Sequence, residues 1–302
     1  MLVLEYVASG ELLDVVNSDE QHARLSEKLL RRIWCELVSA VEWIHARLVV
    51  HRDIKLESMF LSPPPPLCQV LLTSDSTRTD ILLTSNPFTA TPVEDKPLVK
   101  LTDFGLARKI DPDDPWLSTR CGSESYAAPE LLVASHTDEN NVPALSRAPS
   151  DAHEVSSIAA AAFPSPLKSS RVPRMPGTYD GRETDAWALG VVLFALATRA
   201  LPFDPPQTVD TPPADSEAER ARRRWVLRVV RGEWSWPAAP MSDDSAVSAA
   251  AVVEGGDGEL LRGAALVRIA AVRKLVARLL VSDPRRRARV SAVWDEPWMR
   301  AA

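Results

Sequence analysis

The stretch from Glu183 to Thr198, ETDAWALGVVLFALAT, is apolar nearly all round. A helix with one apolar stripe packs on a surface, whereas a helix apolar on every side has to be enclosed by other elements. This segment therefore predicts a helix at the centre of the core, and the rest of the chain has to wrap it. From Ser26 to about Arg47, Leu29, Leu30, Ile33, Leu37, Val41 and Ile44 recur at helical spacing, which predicts an amphipathic helix. Further amphipathic helices are predicted over about 218–231, 260–280 and 290–299, and shorter ones over 11–16 and 126–133. Strands are expected at Leu2 to Val7 and Leu98 to Leu101. At 302 residues and 45% apolar content, the chain has material for one large core or two modest ones.

Four tracts interrupt the pattern. Residues 62–96 hold the tetraproline Pro63 to Pro66 and a Ser/Thr/Asp-rich run; 134–176 are polar and dotted with proline; 205–217 and 238–258 read as surface loops. All four are expected to be disordered insertions, too poor in apolar side chains to offset their ordering entropy.

Lys plus Arg total 35 against 41 Asp plus Glu, and the net charge of -6 gives no global attraction to nucleic acid or anionic lipid. Arginines at 220, 222, 223, 224, 228 and 231, and again at 285–289, leave a nucleic-acid module as one alternative. Against it, charge runs on helices are usually solvated faces, and no aromatic residues suited to base stacking are interleaved. The expected partners therefore include neither nucleic acid nor membrane. Cys35, Cys68 and Cys121 form no even set and no CxxC pair, which argues against a disulfide framework and a thiolate zinc site. A cytoplasmic or nuclear location is expected. The longest apolar run, Ala186 to Ala197, is too short to span a bilayer, and MLVLEYV at the start lacks a basic leader.

Chemistry concentrates after the first long helix, in HRDIKLES at 51–58. His51-Arg52-Asp53 is followed by Lys55 and Glu57, then Asp103-Phe104-Gly105, then Ala128-Pro129-Glu130, then Asp185 on the buried helix, then Asp283-Pro284 with Arg287. Any one tripeptide is a weak signal, but the order and spacing are not. The set resembles the catalytic lobe of eukaryotic serine/threonine protein kinases, and is similar to the calmodulin-dependent and AMP-activated group. The resemblance implies an α+β, protein-kinase-like fold, with a predominantly helical large C-terminal lobe and a hinge strand, the small lobe missing. It covers residue 1 to about residue 300, apart from the insertions.

The resemblance also implies roles. The activity would be transfer of the ATP γ-phosphate to Ser or Thr hydroxyls of protein substrates, with ATP and Mg²⁺ as cofactors. Asp53 would accept or orient the substrate hydroxyl, Lys55 would hold a phosphate oxygen, and Ser123 would support both. Asp103 would bind Mg²⁺, a hard cation that favours carboxylate oxygen. LEYVASGE is similar to the hinge, so Glu5 and Val7 would meet the adenine edge, Leu4 would gate the pocket and Phe60 would lie under the ring. Glu11 and Glu57 resemble an acidic pair that contacts ribose or an arginine before the phosphoacceptor, implying a preference for basic substrates; alternatively Glu11 only favours its own helix N-terminus. Thr119 aligns with an activating phosphosite that would pair with Arg52 after the action of an upstream kinase; Ser118 is the alternative. Glu130 with Arg287 would form a buried ion pair, Asp185 would anchor the catalytic-loop backbone, and His51 and Phe104 would be internal spine residues.

Two departures from the family pattern stand out. Ser58 occupies the position where the pattern has a metal-binding Asn, and a hydroxyl is a poorer ligand than a carboxamide oxygen. No GxGxxG pattern occurs, Gly256-Asp257-Gly258 being the nearest approach. Met1 is therefore expected to be an internal start, and the chain a truncated or fragmentary kinase. The alternative is a catalytically impaired pseudokinase or scaffold that binds protein partners.

Overall fold

In the computed structural model, which describes residues 12–56, 81–83, 97–133, 175–204, 215–237 and 261–300, the chain is mainly helical. Its elements run α1 (Leu12–Asn17), α2 (Asp19–Arg24), α3 (Glu27–His45), β1 (Val49–Val50), β2 (Ile81–Leu83), β3 (Val99–Leu101), β4 (Arg108–Lys109), β5 (Trp116–Leu117), α4 (Pro129–Val133), β6 (Tyr179–Asp180), α5 (Gly181–Thr198), α6 (Asp215–Arg231), α7 (Ala270–Leu279) and α8 (Pro297–Arg300). Short 3-10 turns lie at Phe104–Leu106, Glu124–Tyr126, Gly263–Arg268 and Val290–Asp295.

Helix α5 is the centre of the core, buried without interruption from Thr184 to Ala197. Each large apolar side chain so enclosed contributes about 1.5–3 kcal/mol. The Asp180 carboxylate caps its start by accepting from Arg182 N at 3.0 Å. Arg199 closes its end in the left-handed conformation, φ 61°, and sends its guanidinium to Val16 O at 2.7 Å and to the Asp19 carboxylate. Helix α7 crosses α5 at Gly190, where a methyl group would come within 2.8 Å of Leu279 Cβ. Only glycine permits that approach.

Helix α3 starts where the Ser26 hydroxyl accepts from Leu29 N at 3.2 Å, and it buries Leu30, Ile33, Trp34, Leu37, Val38, Val41 and Ile44. Those residues recur every three or four positions, so a single face meets α5 and β3. From its outer part, Glu36 reaches forward: its carboxylate accepts from Leu98 N at 2.5 Å and Val99 N at 2.9 Å. This grip fixes the start of β3.

The strands form three two-stranded antiparallel ladders, β1 with β4, β2 with β3 and β5 with β6. In the second, Ile81 faces Leu101 and Leu83 faces Val99. The expectation of disorder throughout 62–96 is corrected here, because Ile81–Leu83 is a strand. Average composition concealed it, since three apolar residues need only a partner edge to pair. The expected loop 205–217 likewise gives way at Asp215, where α6 begins. The helix expected over 260–280 is broken by Ile269, extended at ψ 109°, into a 3-10 turn and α7. That expected over 290–299 is a 3-10 turn and α8, divided at Glu296-Pro297, because Pro suits only a helix's first turn and biases the residue before it towards extended backbone. The strand expected at Leu2 to Val7 lies outside the described residues.

Candidate active site

Strand β1 delivers the chain into His51-Arg52-Asp53 against the N-terminal half of α5. The backbone there is shaped by one side chain. Asp185, 1% exposed, accepts from His51 N at 2.9 Å and from Arg52 N at 2.8 Å, and His45 Nε2 donates to it at 2.8 Å. Arg52 takes the left-handed conformation, φ 71°, which costs a non-glycine residue about 1–3 kcal/mol and persists only where its surroundings compel it. The Asp185 carboxylate supplies that compulsion.

With the loop so held, the Asp53 carboxylate is bracketed. Lys55 Nζ donates to Oδ2 at 2.7 Å, and Ser123 N donates to Oδ1 at 2.7 Å. The Asp53 and Lys55 side chains are 12% and 14% exposed, so both are largely withdrawn from water, and a carboxylate tied this way keeps a single orientation.

The Asp103 loop sits beside this one. His51 Nε2 donates to Thr102 O at 2.9 Å, its ring meets Phe104 edge-on at 4.9 Å, and Arg52 Nε donates to Leu106 O at 2.7 Å. Thus the two residues preceding Asp53 hold both ends of the segment 102–106. Asp103 is itself left-handed, φ 55°, exposed, and accepts from Gly105 N at 3.2 Å through Oδ1. A carboxylate turned outward on a tight loop suits a hard divalent cation, and Asp103 is the residue that would hold Mg²⁺.

The segment from Trp116 to Tyr126 closes over the other side. Tyr179 donates from its hydroxyl to Thr119 O at 2.7 Å, while Arg52 NH1 reaches that hydroxyl and Thr119 O at 3.3 Å each. Thr119 and Ser118 are both exposed. At Gly122, φ 101°, a Cβ would strike the Arg52 carbonyl oxygen, so the segment approaches the Arg52–Asp53 loop only because this residue lacks one. Tyr126 accepts from Leu56 N at 3.2 Å. Between the two segments lies a hollow lined by Arg52, Asp53, Cys121, Gly122, Tyr126 and Asp185. Asp103 does not line it, so this hollow lies on the side of Asp53 towards the 116–126 segment. Burial pushes the Cys121 thiol up, opposed by the Arg52 charge. Burial likewise raises Tyr179, against its hydrogen bond from Arg52.

Further out, Arg287 and Glu130 form a bidentate pair, NH1 to Oε1 at 2.7 Å and NH2 to Oε2 at 2.9 Å, both side chains 1% exposed. Arg287 also donates to Glu183 O at 2.7 Å, which ties α4 to the base of α5.

Of the residues singled out from sequence, the structure brings Asp53, Lys55 and Ser123 into direct contact, seats Asp103 in the adjoining loop, and places Thr119 within reach of Arg52 through its carbonyl. Leu4, Glu5, Val7, Glu11, Glu57, Ser58 and Phe60 lie outside the described residues. The sequence reading missed His45, Gly122 as a contact glycine, and Tyr179. Nothing local marks His45 or Tyr179, since each works through a partner at least 60 residues away. Gly122 had a signal, standing directly before Ser123.

A family profile described as "Protein kinase domain" matches residues 1–142. The serine/threonine-protein kinase PRR1 of Saccharomyces cerevisiae is 29% identical over 236 residues, covering 78% of this chain and 32% of the yeast protein. Kinase ppk27 of Schizosaccharomyces pombe is 27% identical over 76% of this chain and 43% of its own length. CBL-interacting protein kinase 10 of Oryza sativa is 23% identical across 99% of this chain and 40% of its own. The chain thus spans a third to under a half of the length of these relatives. The matched range contains the His51-Arg52-Asp53 loop, the Asp103 loop and Glu130, and the geometry supplies the distant partners Asp185 and Arg287. By these matches the chain is similar to protein kinases, and the relatives named are serine/threonine kinases.

Proposed function

We propose that this chain carries the phosphoryl-transfer half of a serine/threonine kinase, moving the γ-phosphate of ATP to Ser or Thr hydroxyls of protein substrates. The observation that carries this reading is the Asp53 carboxylate, fixed between Lys55 Nζ and Ser123 N at 2.7 Å each. Asp53 accepts or orients the substrate hydroxyl proton. Lys55, already against Asp53, turns its ammonium to the transferred phosphate, so that the charge developing there meets a cation. Asp103, with Ser58 as its proposed partner, would hold Mg²⁺, which would supply positive charge to the transferred phosphate. Glu5 and Val7 meet adenine through the backbone, with Leu4 and Phe60 as its apolar walls. Glu11 and Glu57 favour substrates with basic residues before the phosphoacceptor. An upstream kinase phosphorylates Thr119, whose phosphate pairs with Arg52, and the work takes place in the cytoplasm or nucleus. No described helix is long and apolar enough to cross a membrane.

The test is phosphorylation of an arginine-containing serine peptide by the chain, and by the chain extended with any coding sequence that precedes Met1. The expected result is transfer that falls about 100-fold or more in Asp53→Asn. Transfer surviving that change removes Asp53 from its role. No transfer by either form, with protein partners still captured, favours the scaffold reading.

A further inference from the structure

Helix α6 carries a charge pattern that the phosphoryl-transfer site does not use. Its inner face buries Trp225, Val226, Val229 and Val230. At 100° per residue, Arg220, Arg224, Arg228 and Arg231 fall within an arc of about 80° on the opposite side, along about 16 Å of helix axis. All four are exposed. Arg231 has Glu233 at 3.7 Å; among the described residues no carboxylate lies within ion-pair distance of Arg220, Arg224 or Arg228.

Solvated helix faces usually mix signs, and like charges three or four residues apart destabilise a helix by a few tenths of a kcal/mol per pair. Beyond Glu217, which is exposed and enters the same arc at its N-terminal end, Arg220 with Arg224, Arg224 with Arg228, and Arg228 with Arg231 all repel. The chain as a whole has a net charge of -6, so this stripe is a local reversal of sign rather than part of a basic surface. The stripe faces away from the site already described: Arg222, roughly on the other side of the helix from it, pairs with Glu124, one residue beyond the Ser123 whose amide holds Asp53.

We propose that the α6 stripe is a docking surface for an acidic segment of a protein partner, with carboxylates recurring about every 6 Å to match one guanidinium per turn. Protein is favoured over nucleic acid by charge density and by the lack of a stacking platform. Duplex DNA carries a charge every ~1.7 Å, far denser than this stripe, and would draw a polyanion against an acidic chain. The tryptophan of this helix, Trp225, is buried and donates to Phe203 O at 3.2 Å.

The experiment measures anisotropy of a labelled 16-residue alanine-based peptide with Glu at every fourth position, titrated with the full chain at low ionic strength. Binding is expected, lost when Gln replaces Glu in the peptide, and weakened about tenfold or more by Arg224→Glu with Arg228→Glu. The milder Arg224→Gln with Arg228→Gln pair, which keeps good helix formers, should weaken it about threefold while the unfolding midpoint stays in place or rises. Arg286→Glu with Arg289→Glu, exposed in the other basic run, should leave it unchanged. The proposal is overturned if the peptide does not bind, if both α6 variants bind as the parent does, or if a 16-base-pair duplex binds more tightly through the same arginines.

Discussion

The carboxylate of Asp185 lies 2.8 Å from the backbone nitrogen of Arg52, a residue 133 positions earlier in the chain. It also takes the amide of His51, so one buried side chain sets the backbone on which Asp53 is mounted. Asp185→Asn keeps one acceptor and points an NH2 group at a second donor. The expected loss is about 2–4 kcal/mol of folding stability in urea titration, because a buried amide loses its partner. An unchanged midpoint would show that the loop does not depend on this carboxylate.

The Glu130 and Arg287 pair has a different signature. Arg287→Met strands a buried carboxylate and should cost about 3–5 kcal/mol. Glu130→Leu combined with Arg287→Met removes both charges and should cost less than Arg287→Met alone. Additive losses in the double-mutant cycle would contradict this.

Gly122 tests the closeness of the two segments. Gly122→Ala has to carry a side chain at φ 101° and push its Cβ at the Arg52 carbonyl. The expected outcome is about 1–3 kcal/mol of strain, relieved by the segment lifting away. Amide exchange reports this directly, since the Ser123 N-H should exchange faster once its bond to Asp53 opens.

His22 predicts a pH dependence. Its ring is buried, donates from Nε2 to Leu196 O at 3.0 Å, and has its pKa lowered from 6.5, by burial first and by the Arg199 charge as well. The unfolded chain therefore binds a proton near pH 6.5 that the folded chain takes up only at lower pH. The contribution of this group to stability is complete above about 6.5 and is lost as pH falls through the window below it. Denaturant midpoints should drop between pH 7 and pH 5, and His22→Gln should flatten that slope. A variant with the parent's slope would place the titration elsewhere.

Much of this architecture was legible because its signals are dense. The apolar run around Leu189 allowed no role but the interior, and α3 showed its face at regular spacing. Motif order singled out Asp53, Lys55, Asp103 and Ser123, and the fold sets them in contact or in adjoining loops. Other features turn on contacts across long sequence separations, which no local window holds. Tyr179 looks like any tyrosine until its hydroxyl meets Thr119, and Ile81–Leu83 looks like part of a polar tract until Val99–Leu101 lies alongside it. Ile269 broke a predicted helix because periodicity continues across a kink that the backbone does not.

The hold of Glu36 on Leu98 and Val99 bears on how this gene tolerates change. Because β3 is anchored from α3 and zipped to β2, the position of Asp103 is decoupled from how many residues separate Leu56 from Ile81. Closing a longer excursion costs only about 0.6 kcal/mol per doubling of its length. Changes of length between Phe60 and Ile81 are therefore expected to leave the Asp103 loop in register.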